Sequence, residues 1–241
     1  MSALAPRSLK LLIALLIPAI VIGTAVRLLA TDQYLAIEYS RAGFPRDMYG
    51  YSAEKRLELA STDVHYVRAH LPDDALARET LDGAPVYNPR EVAHMEDVRA
   101  VFQWVLGIWY LGLVLVVFLV AVLWQDGRLD EIASAMRWGG LLTSALTSAI
   151  AILAILAWQA WFESFHRLFF DKGSWLFSYS DTLIRLFPVD FWSDATLTIT
   201  GLSLGGGLLL AVAGFRWQAS VLSLENGGRR GIHIFDTPQK G

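Results

Sequence analysis

The stretch WFESFHRLFFDKGSWLFSYSDTLIRLFPVDFW, from Trp161 to Trp192, lies between two long apolar segments and decides how the chain is organised. It is too aromatic for an ordinary solvated loop, and its charged residues make it too polar for the interior of a bilayer. Its single histidine, His166, follows directly on the preceding apolar segment. We therefore predict that the stretch lies at a membrane surface and covers the helix ends there.

The composition of the whole chain indicates a membrane protein. Of the 241 residues, 54% are hydrophobic and 9 are tryptophan, which is atypical of a soluble domain. The net charge of −3 is too small to indicate a nucleic-acid partner, and no basic cluster or nucleic-acid motif occurs. The absence of cysteine excludes disulfides, thiolate metal ligands and a cysteine nucleophile.

Four apolar runs are long enough to cross a membrane, since about 20 helical residues span a hydrocarbon core of roughly 30 Å. They cover residues 9–30, 101–124, 138–161 and 195–215. Because backbone groups in lipid must be paired within their own segment, we predict an all-α integral membrane protein with four transmembrane helices, forming a single membrane domain over 1–241. The first run is long for a signal peptide and no A-x-A cleavage site follows it, so we expect a retained helix.

Positive charge predicts the orientation of these helices, because cytoplasmic connections carry an excess of Lys and Arg. We assign the N-terminus, the connection 125–137 and the tail 216–241 to the cytoplasmic side. The basic residues concerned are Arg7, Lys10, Arg128, Arg137, Arg216, Arg229, Arg230 and Lys240. Extracytoplasmic helical or loop segments then follow the first and third helices, at 31–100 and 162–194. This arrangement places His94 and His166 on one face of the membrane.

The segment after the first helix, residues 31–88, contains one recognisable element. SAEKRLELASTDVHYVRAHL, which begins at Ser52, has the imperfect apolar face of a short amphipathic helix. The segment is short and charged for a separate folded domain, and it is a candidate lid on the membrane surface. We expect its histidines, His65 and His70, to be solvated or interfacial.

The stretch NPREVAHMEDVRAVF, which begins at Asn88, has the features of a helix start. Asn88 can cap the helix, Pro89 suits the first helical position, and Glu91 stands where a capping-box carboxylate belongs. The helix is expected to run unbroken into the second span. His94 and Asp97 are three residues apart and share one face, so the carboxylate is in reach to orient the imidazole as a general base. The competing interpretation is that His94 is only a polar anchor at the interface.

Two acidic residues of the 161–192 stretch are further candidates. Glu163 precedes His166 by three residues and can face it on a helix. Asp181 stands at the start of a short apolar segment and is expected to cap a helix that Pro188 ends.

The cationic and aromatic residues of the same stretch suggest contacts with lipid. Arg167 and Arg185 are candidates to bind a phosphate or an acyl carbonyl, although snorkelling to headgroups is an equally good interpretation. The aromatic run from Phe165 to Phe177, which includes Trp175, is expected to form an apolar wall for acyl chains.

The segments DGAPVYNPREVAHMEDVRAVF and FESFHRLFFDKGSWLFSYSDTLIRLFPVDFW resemble the two signature regions of the bacterial lipoprotein intramolecular transacylase (Lit) family. That family is similar in having four spans, a histidine in an H-x-x-D-V stretch before the second and a histidine in an F-H stretch after the third. The resemblance implies an acyltransferase of the bacterial cell membrane that needs no cofactor or metal. Its partners would be diacylglyceryl-modified lipoproteins and membrane lipids.

On that resemblance the enzyme moves the sn-2 acyl chain of the diacylglyceryl-cysteine onto the α-amino group of the same cysteine, leaving a lyso-form N-acyl lipoprotein. The implied catalytic residues are His94 and His166. The supporting candidates are Asp97, Glu163, Trp175, Asp181 and Arg185. Our working hypothesis makes His94 the base and His166 the group that stabilises the oxyanion or protonates the leaving oxygen, and the reverse assignment stays open.

Two other functions fit parts of the pattern. A metal-dependent membrane hydrolase could use His94, Asp97 and His166, but no H-E-x-x-H or similar pair occurs. A non-catalytic helical membrane module that binds a lipid or protein partner would make the histidines incidental. A transporter is disfavoured because the four spans show no inverted repeat and no charge at mid-membrane depth.

Overall fold

Helices dominate the computed structural model, which describes residues 4–232 and, of the side chains, those of 6–221. The helices are α1 Leu4–Leu29, α2 Asp32–Ser40, α3 Ala53–Val67, α4 Ala75–Arg78, α5 Pro89–Gln125, α6 Leu129–Leu156, α7 Trp158–Phe169, α8 Thr182–Leu186 and α9 Val189–Ile232. One antiparallel hairpin, β1 Thr80–Leu81 and β2 Ala84–Pro85, pairs Thr80 with Pro85. Its turn residues Asp82 and Gly83 both have positive φ, as a tight two-residue hairpin requires.

Four helices, α1, α5, α6 and α9, are long and apolar enough to cross a membrane. The predicted all-α integral membrane fold with four spanning helices is therefore confirmed. The third predicted span, 138–161, differs from the structure at both ends, because α6 begins at Leu129 and ends at Leu156. Most of the predicted connection 125–137 is therefore helical. Ala157 has a non-helical backbone, with φ −146° and ψ 54°, and the chain restarts there as α7. This break separates the apolar helix from the aromatic, amphipathic segment that carries His166.

Helix α5 begins with the predicted capping box. The side-chain Oδ1 of Asn88 accepts hydrogen bonds from the N–H groups of Arg90 at 3.0 Å and Glu91 at 3.1 Å. In return, Glu91 Oε2 accepts from the Asn88 N–H at 2.8 Å. The helix then runs for 37 residues without a break. That is about 55 Å at 1.5 Å per residue, so α5 is longer than a hydrocarbon core of roughly 30 Å.

The chain packs as two compact units. One comprises Met1–Val21, Leu111–Leu146 and Ser203–Gly241. Its apolar core surrounds Ile13 and Leu123, and the Nζ of Lys10 lies 2.7 Å from Glu131 Oε2. Close backbone approach occurs at Gly207, where an added Cβ would lie 2.7 Å from Ser144 Oγ. Arg229, Arg230, His233 and Lys240 lie outside the residues whose side chains are described.

The second unit comprises Ile22–Tyr110 and Thr147–Leu202. Residues 31–88, which we expected to be too short and charged for a separate folded domain, build much of the core of this unit together with residues from α5, α8 and α9. Leu35, Leu59, Tyr66 and Leu76 are all at most 2% exposed and pack with Leu186 of α8. The predicted amphipathic helix is α3, and its apolar face lies in this core.

Candidate active site

His94 lies in the second unit, one turn after the α5 capping box. Its side chain is buried, at 9% exposure. The imidazole packs edge-to-face against Phe170, with ring centroids 4.9 Å apart, and against Phe177, at 5.4 Å. Among the described residues its Nδ1 atom has no hydrogen-bond partner. Buried polar atoms are rarely left in this state, and such atoms mark candidate ligand sites.

His166 stands in the last turn of α7 and is half-buried. Its Nδ1 lies 2.8 Å from the carbonyl oxygen of Phe162. A carbonyl oxygen can only accept a hydrogen bond, so Nδ1 is the protonated nitrogen of the neutral ring. The lone pair is therefore on Nε2. The ring also packs against the indole of Trp175, with centroids 4.8 Å apart and planes inclined at 37°.

The two imidazoles share one aromatic neighbour. Phe170 lies 4.9 Å from His94 and 5.7 Å from His166, measured between ring centroids. The two histidines are also close enough to interact electrostatically. The structure thus brings together two residues that are 72 positions apart, which the sequence placed only on the same membrane face.

Burial lowers the pKa of His166 below its ordinary value of 6.5, although the hydrogen bond to Phe162 opposes the shift. The desolvated ring loses the hydration that stabilises its charged form. His166 is therefore neutral at pH 7, with a lone pair available to accept a proton.

Asp97 is not placed as we expected. Its side chain is exposed whereas His94 is buried, and no hydrogen bond joins the two in the described part of the chain. Three helical residues advance about 300° around the axis. The two side chains therefore diverge by about 60°, and here that is enough to turn Asp97 out of the core.

Glu163 is also engaged elsewhere. Its carboxylate accepts hydrogen bonds from Gln159 Nε2 at 2.7 Å and from Arg167 Nη2 at 3.0 Å. Both partners are four residues away along α7, so the three side chains form a polar stripe on that helix. Glu163 thus holds Arg167, and no hydrogen bond joins it to His166 among the described residues.

Arg185 does not have the free guanidinium that a phosphate or acyl-carbonyl site would need. Its Nε and Nη2 donate to the two carboxylate oxygens of Asp47, at 2.9 and 3.0 Å. Its cationic carbon lies 3.4 Å from the ring centroid of Tyr51. Burial raises the pKa of Asp47, but the hydrogen bonds from Arg185 and from two backbone N–H groups outweigh it and hold that pKa at about 2. This buried ion pair anchors α8.

Asp181 occupies the predicted N-cap position of α8, but its carboxylate makes no capping hydrogen bond there. One oxygen accepts from the Ser178 N–H at 2.8 Å, and the other lies 3.4 Å from Asn88 Nδ2. Asp181 therefore joins the loop before α8 to the start of α5.

Glu91 has a larger role than sequence reasoning assigned to it. Besides closing the capping box, its Oε1 accepts from the Leu183 N–H of α8 at 2.8 Å, and the side chain is 1% exposed. Thr182 Oγ1 donates to the Val86 carbonyl close by. These contacts tie the helix that carries His94 to the segment that follows His166. The capping motif was visible in the sequence, but its long-range partner was not.

Arg90 was also missed as a contact of the aromatic loop between α7 and α8. Its Nη2 donates to the Leu176 carbonyl at 2.8 Å, and its cationic carbon lies 5.7 Å from the Phe177 ring centroid. Arg90 thereby holds Phe177 next to His94. The only sequence signal was a cation one turn before that histidine.

The family model for the lipoprotein intramolecular transacylase Lit matches residues 11–192. This chain belongs to the Lit family. It is accordingly a lipoprotein intramolecular transacylase, which is an acyltransferase, and it is integral to the membrane.

Similar proteins agree with membership of the Lit family. An uncharacterized protein of Aquifex aeolicus is 32% identical over 208 residues, which cover 86% of this chain and 93% of that protein. The solved structure of the membrane integral lipoprotein intramolecular transacylase Lit from Bacillus cereus matches with a TM-score of 0.76 at 19% identity, covering 92% of this chain and 100% of that one. A histidine-to-arginine variant of the same protein matches with a TM-score of 0.66 at 16% identity, covering 92% and 95%. These structures support the Lit fold.

Proposed function

We propose that this enzyme moves the sn-2 acyl chain of a diacylglyceryl-cysteine lipoprotein onto the α-amino group of the same cysteine. The product is a lyso-form lipoprotein with one N-acyl and one O-acyl chain. The observation that carries this proposal is the pair of imidazoles, His94 and His166, packed against one phenyl ring in a member of the Lit family.

In this proposal His166 is the general base. Its Nδ1–H is held by the Phe162 carbonyl, so Nε2 is available to accept a proton. The neutral α-amine attacks the sn-2 ester carbonyl, forming a C–N bond and a tetrahedral oxyanion, and Nε2 takes one proton from the positively charged nitrogen of that intermediate. Collapse of this intermediate breaks the C–O bond to glycerol, and the proton on His166 passes to the departing glycerol oxygen. All atoms and the proton are accounted for without an acyl-enzyme.

His94 is assigned the second role, as a neutral N–H donor to the oxyanion or to the leaving oxygen. This assignment reverses the one that the sequence favoured. The reason is that Asp97, which was expected to make His94 the base, is exposed, and no hydrogen bond joins the two among the described residues. The acceptor that orients an imidazole is instead the backbone carbonyl of Phe162, and the ring that it orients is His166.

Three of the supporting candidates are proposed to position these two groups. Asp181 holds the loop to Asn88, Arg185 anchors α8 through Asp47, and Glu163 fixes Arg167. The aromatic rings between Phe162 and Phe177 form the surface against which acyl chains would pack. Holding amine and ester together can contribute roughly 7–11 kcal/mol, and one positioned base adds about 10²–10⁴-fold.

The distribution of positive charge supports an active site at the extracytoplasmic face. Arg7 and Lys10 lie near the N-terminus, Arg128 lies in the short connection between α5 and α6, and Arg137 lies about two turns into α6. These positions follow the excess of Lys and Arg in cytoplasmic connections. The termini are then cytoplasmic, and the segments 31–100 and 162–194 are extracytoplasmic.

The test is to express His94→Ala and His166→Ala separately, and to determine the acyl state of a reporter lipoprotein by mass spectrometry. Wild-type enzyme is expected to give the lyso N-acyl form, and each variant to leave the diacylglyceryl form. His65→Ala is the matched control, because His65 lies in the same unit but its side chain is 42% exposed and bound to Asp32. Lyso N-acyl product from both active-site variants would refute the two-histidine mechanism.

A metal-dependent hydrolysis is the main chemical competitor. Among the described residues, no three His, Asp or Glu side chains are placed to hold a metal ion. The sequence-based version of that site needed Asp97 as its third ligand, and Asp97 is exposed. Free fatty acid released by the wild-type enzyme, and lost after treatment with a strong chelator, would favour hydrolysis over transfer.

A further inference from the structure

We propose that Trp175 is a further catalytic residue, whose indole N–H donates a hydrogen bond to the ester carbonyl oxygen as it becomes the oxyanion. This inference rests on the proposed acyl transfer and deepens it by naming a group that stabilises the developing charge. The inference starts from two buried polar atoms in the aromatic cluster around His166. Neither atom has a hydrogen-bond partner among the described residues.

Two atoms of that cluster are buried and have no hydrogen-bond partner among the described residues. They are Nδ1 of His94 and Nε1 of Trp175. Leaving a buried donor or acceptor unpaired costs about 1–3 kcal/mol, so few such atoms occur in a folded protein. Two of them beside one reactive histidine indicate a place where a ligand supplies the missing partner.

The chemistry of the indole restricts what that partner can be. An indole N–H is a donor only and does not ionise near neutral pH. Its partner must therefore be an acceptor, and Trp175 cannot act as the acid or the base. In the transfer reaction, the ester carbonyl oxygen is the acceptor on which negative charge develops. A fixed donor aimed at that atom stabilises the transition state more than the substrate.

Trp175 is also in the right place. Its ring packs on the imidazole of His166, with centroids 4.8 Å apart. A substrate amine that can give a proton to His166 Nε2 lies beside that ring. The ester carbonyl that the amine attacks then lies next to the rings of His166 and Trp175. His94, against Phe170, faces the cluster from α5.

The arginines near the site are already engaged. Arg185 is paired with Asp47, Arg167 with Glu163, and Arg90 donates to the Leu176 carbonyl. A neutral hydrogen-bond donor such as the Trp175 N–H is therefore better placed than these arginines to contact the oxyanion in a site lined by aromatic rings.

The competing account is that Trp175 only packs. Its ring meets Phe162 edge-to-face at 6.1 Å and 75°, and an N–H directed at an aromatic face gains a weak interaction. A test must therefore remove the N–H and keep the ring.

The experiment places benzothienylalanine at position 175 by codon reassignment, so that sulfur replaces the ring N–H in an indole-shaped side chain. The substrate is a purified diacylglyceryl lipopeptide in detergent, followed by mass spectrometry. We expect kcat to fall about 10²–10³-fold, the loss typical of one oxyanion donor, with KM, melting temperature and the shape of the pH profile unchanged. Trp175→Phe is expected to lose at least as much.

The matched control is the same replacement at Trp109, whose Nε1 donates to Thr24 Oγ1 at 3.0 Å. Wild-type kcat is expected for that variant. A kcat for the position-175 isostere within about threefold of wild type would show that Trp175 only packs, and so overturn the inference. Failure of the proposed transfer is seen separately, because wild-type enzyme would then leave the lipopeptide amine unacylated.

Discussion

His166 Nδ1 lies 2.8 Å from the carbonyl oxygen of Phe162, one turn earlier in the same helix. This single contact selects the tautomer of the ring, because the carbonyl accepts only from a protonated nitrogen. It leaves Nε2 with a lone pair and makes α7 itself the orienting group. A carboxylate performs that task in the serine-protease triad, whereas here a helix carbonyl does so.

The first prediction separates two roles of His166, the hydrogen bond to the Phe162 carbonyl and the acceptance of a proton at Nε2. Asn at position 166 can donate from Nδ2 to the Phe162 carbonyl, whereas Gln can place its amide nearer to the position of Nε2. Neither amide can accept a proton, so His166→Asn and His166→Gln are both expected to lose about 10²–10⁴-fold in kcat. His166→Asn is expected to keep the wild-type melting temperature in detergent. A variant of either kind with wild-type kcat would contradict the assignment of His166 as base.

The second prediction concerns pH. Burial lowers the pKa of His166 below 6.5, and the base works only when it is neutral. The acid limb of kcat/KM is therefore expected below pH 6.5, with activity rising as the pH increases through the pKa of the free enzyme. Phe170→Ala exposes the ring, so it is expected to raise that pKa and move the acid limb to higher pH. An acid limb that does not move in this variant would argue that His166 is not the titrating group.

The third prediction concerns Glu91, which accepts from the Asn88 and Leu183 N–H groups. Glu91→Ala leaves both donors unpaired in a buried site and is expected to lower stability by about 2–4 kcal/mol. Glu91→Gln keeps one acceptor oxygen and is expected to lose roughly half as much. Thermal unfolding in detergent measures both values. Glu96→Gln, at an exposed position of the same helix, is the control and is expected to match wild type.

The fourth prediction uses two glycines of α9. A Cβ at Gly207 would lie 2.7 Å from Ser144 Oγ and 2.8 Å from the Gly140 carbonyl, whereas a Cβ at Gly205 would meet nothing within 4 Å. Gly207→Ala is expected to destabilise the protein by about 1–3 kcal/mol through overpacking. Gly205→Ala is expected to lose nothing. Equal melting temperatures for the two variants would contradict the close α6–α9 contact.

Local patterns in the sequence predicted the elements well. The apolar runs predicted four spanning helices, and the Asn88–Glu91 capping box marked where α5 begins. These features depend on composition over about 20 residues or on neighbours three positions apart. Both ends of the third predicted span were wrong, since α6 begins at Leu129 rather than at 138 and ends before Ala157. The aromatic residues after Ala157 continue an apolar run but belong to an amphipathic helix.

Patterns could not predict which groups would meet. Asp97 had the right spacing to orient His94, but packing turned it toward solvent. Arg185 looked free to bind an anion until the fold brought it to Asp47, 138 residues earlier. Glu91 looked like a local cap, but it also binds α8, 92 residues later.

By itself, the sequence determined the membrane fold, the start of α5 and the membership of the Lit family. The first two properties follow from hydrophobicity and from short-range hydrogen bonding along one helix. Only the tertiary structure decided which nitrogen of His166 carries the proton, which carboxylates are engaged elsewhere, and which buried donors lack partners. The hydrogen bonds and protonation state of a buried polar group depend on the atoms that surround it in space. Those atoms come from distant parts of the chain, and spacing along the sequence does not reveal that they are neighbours.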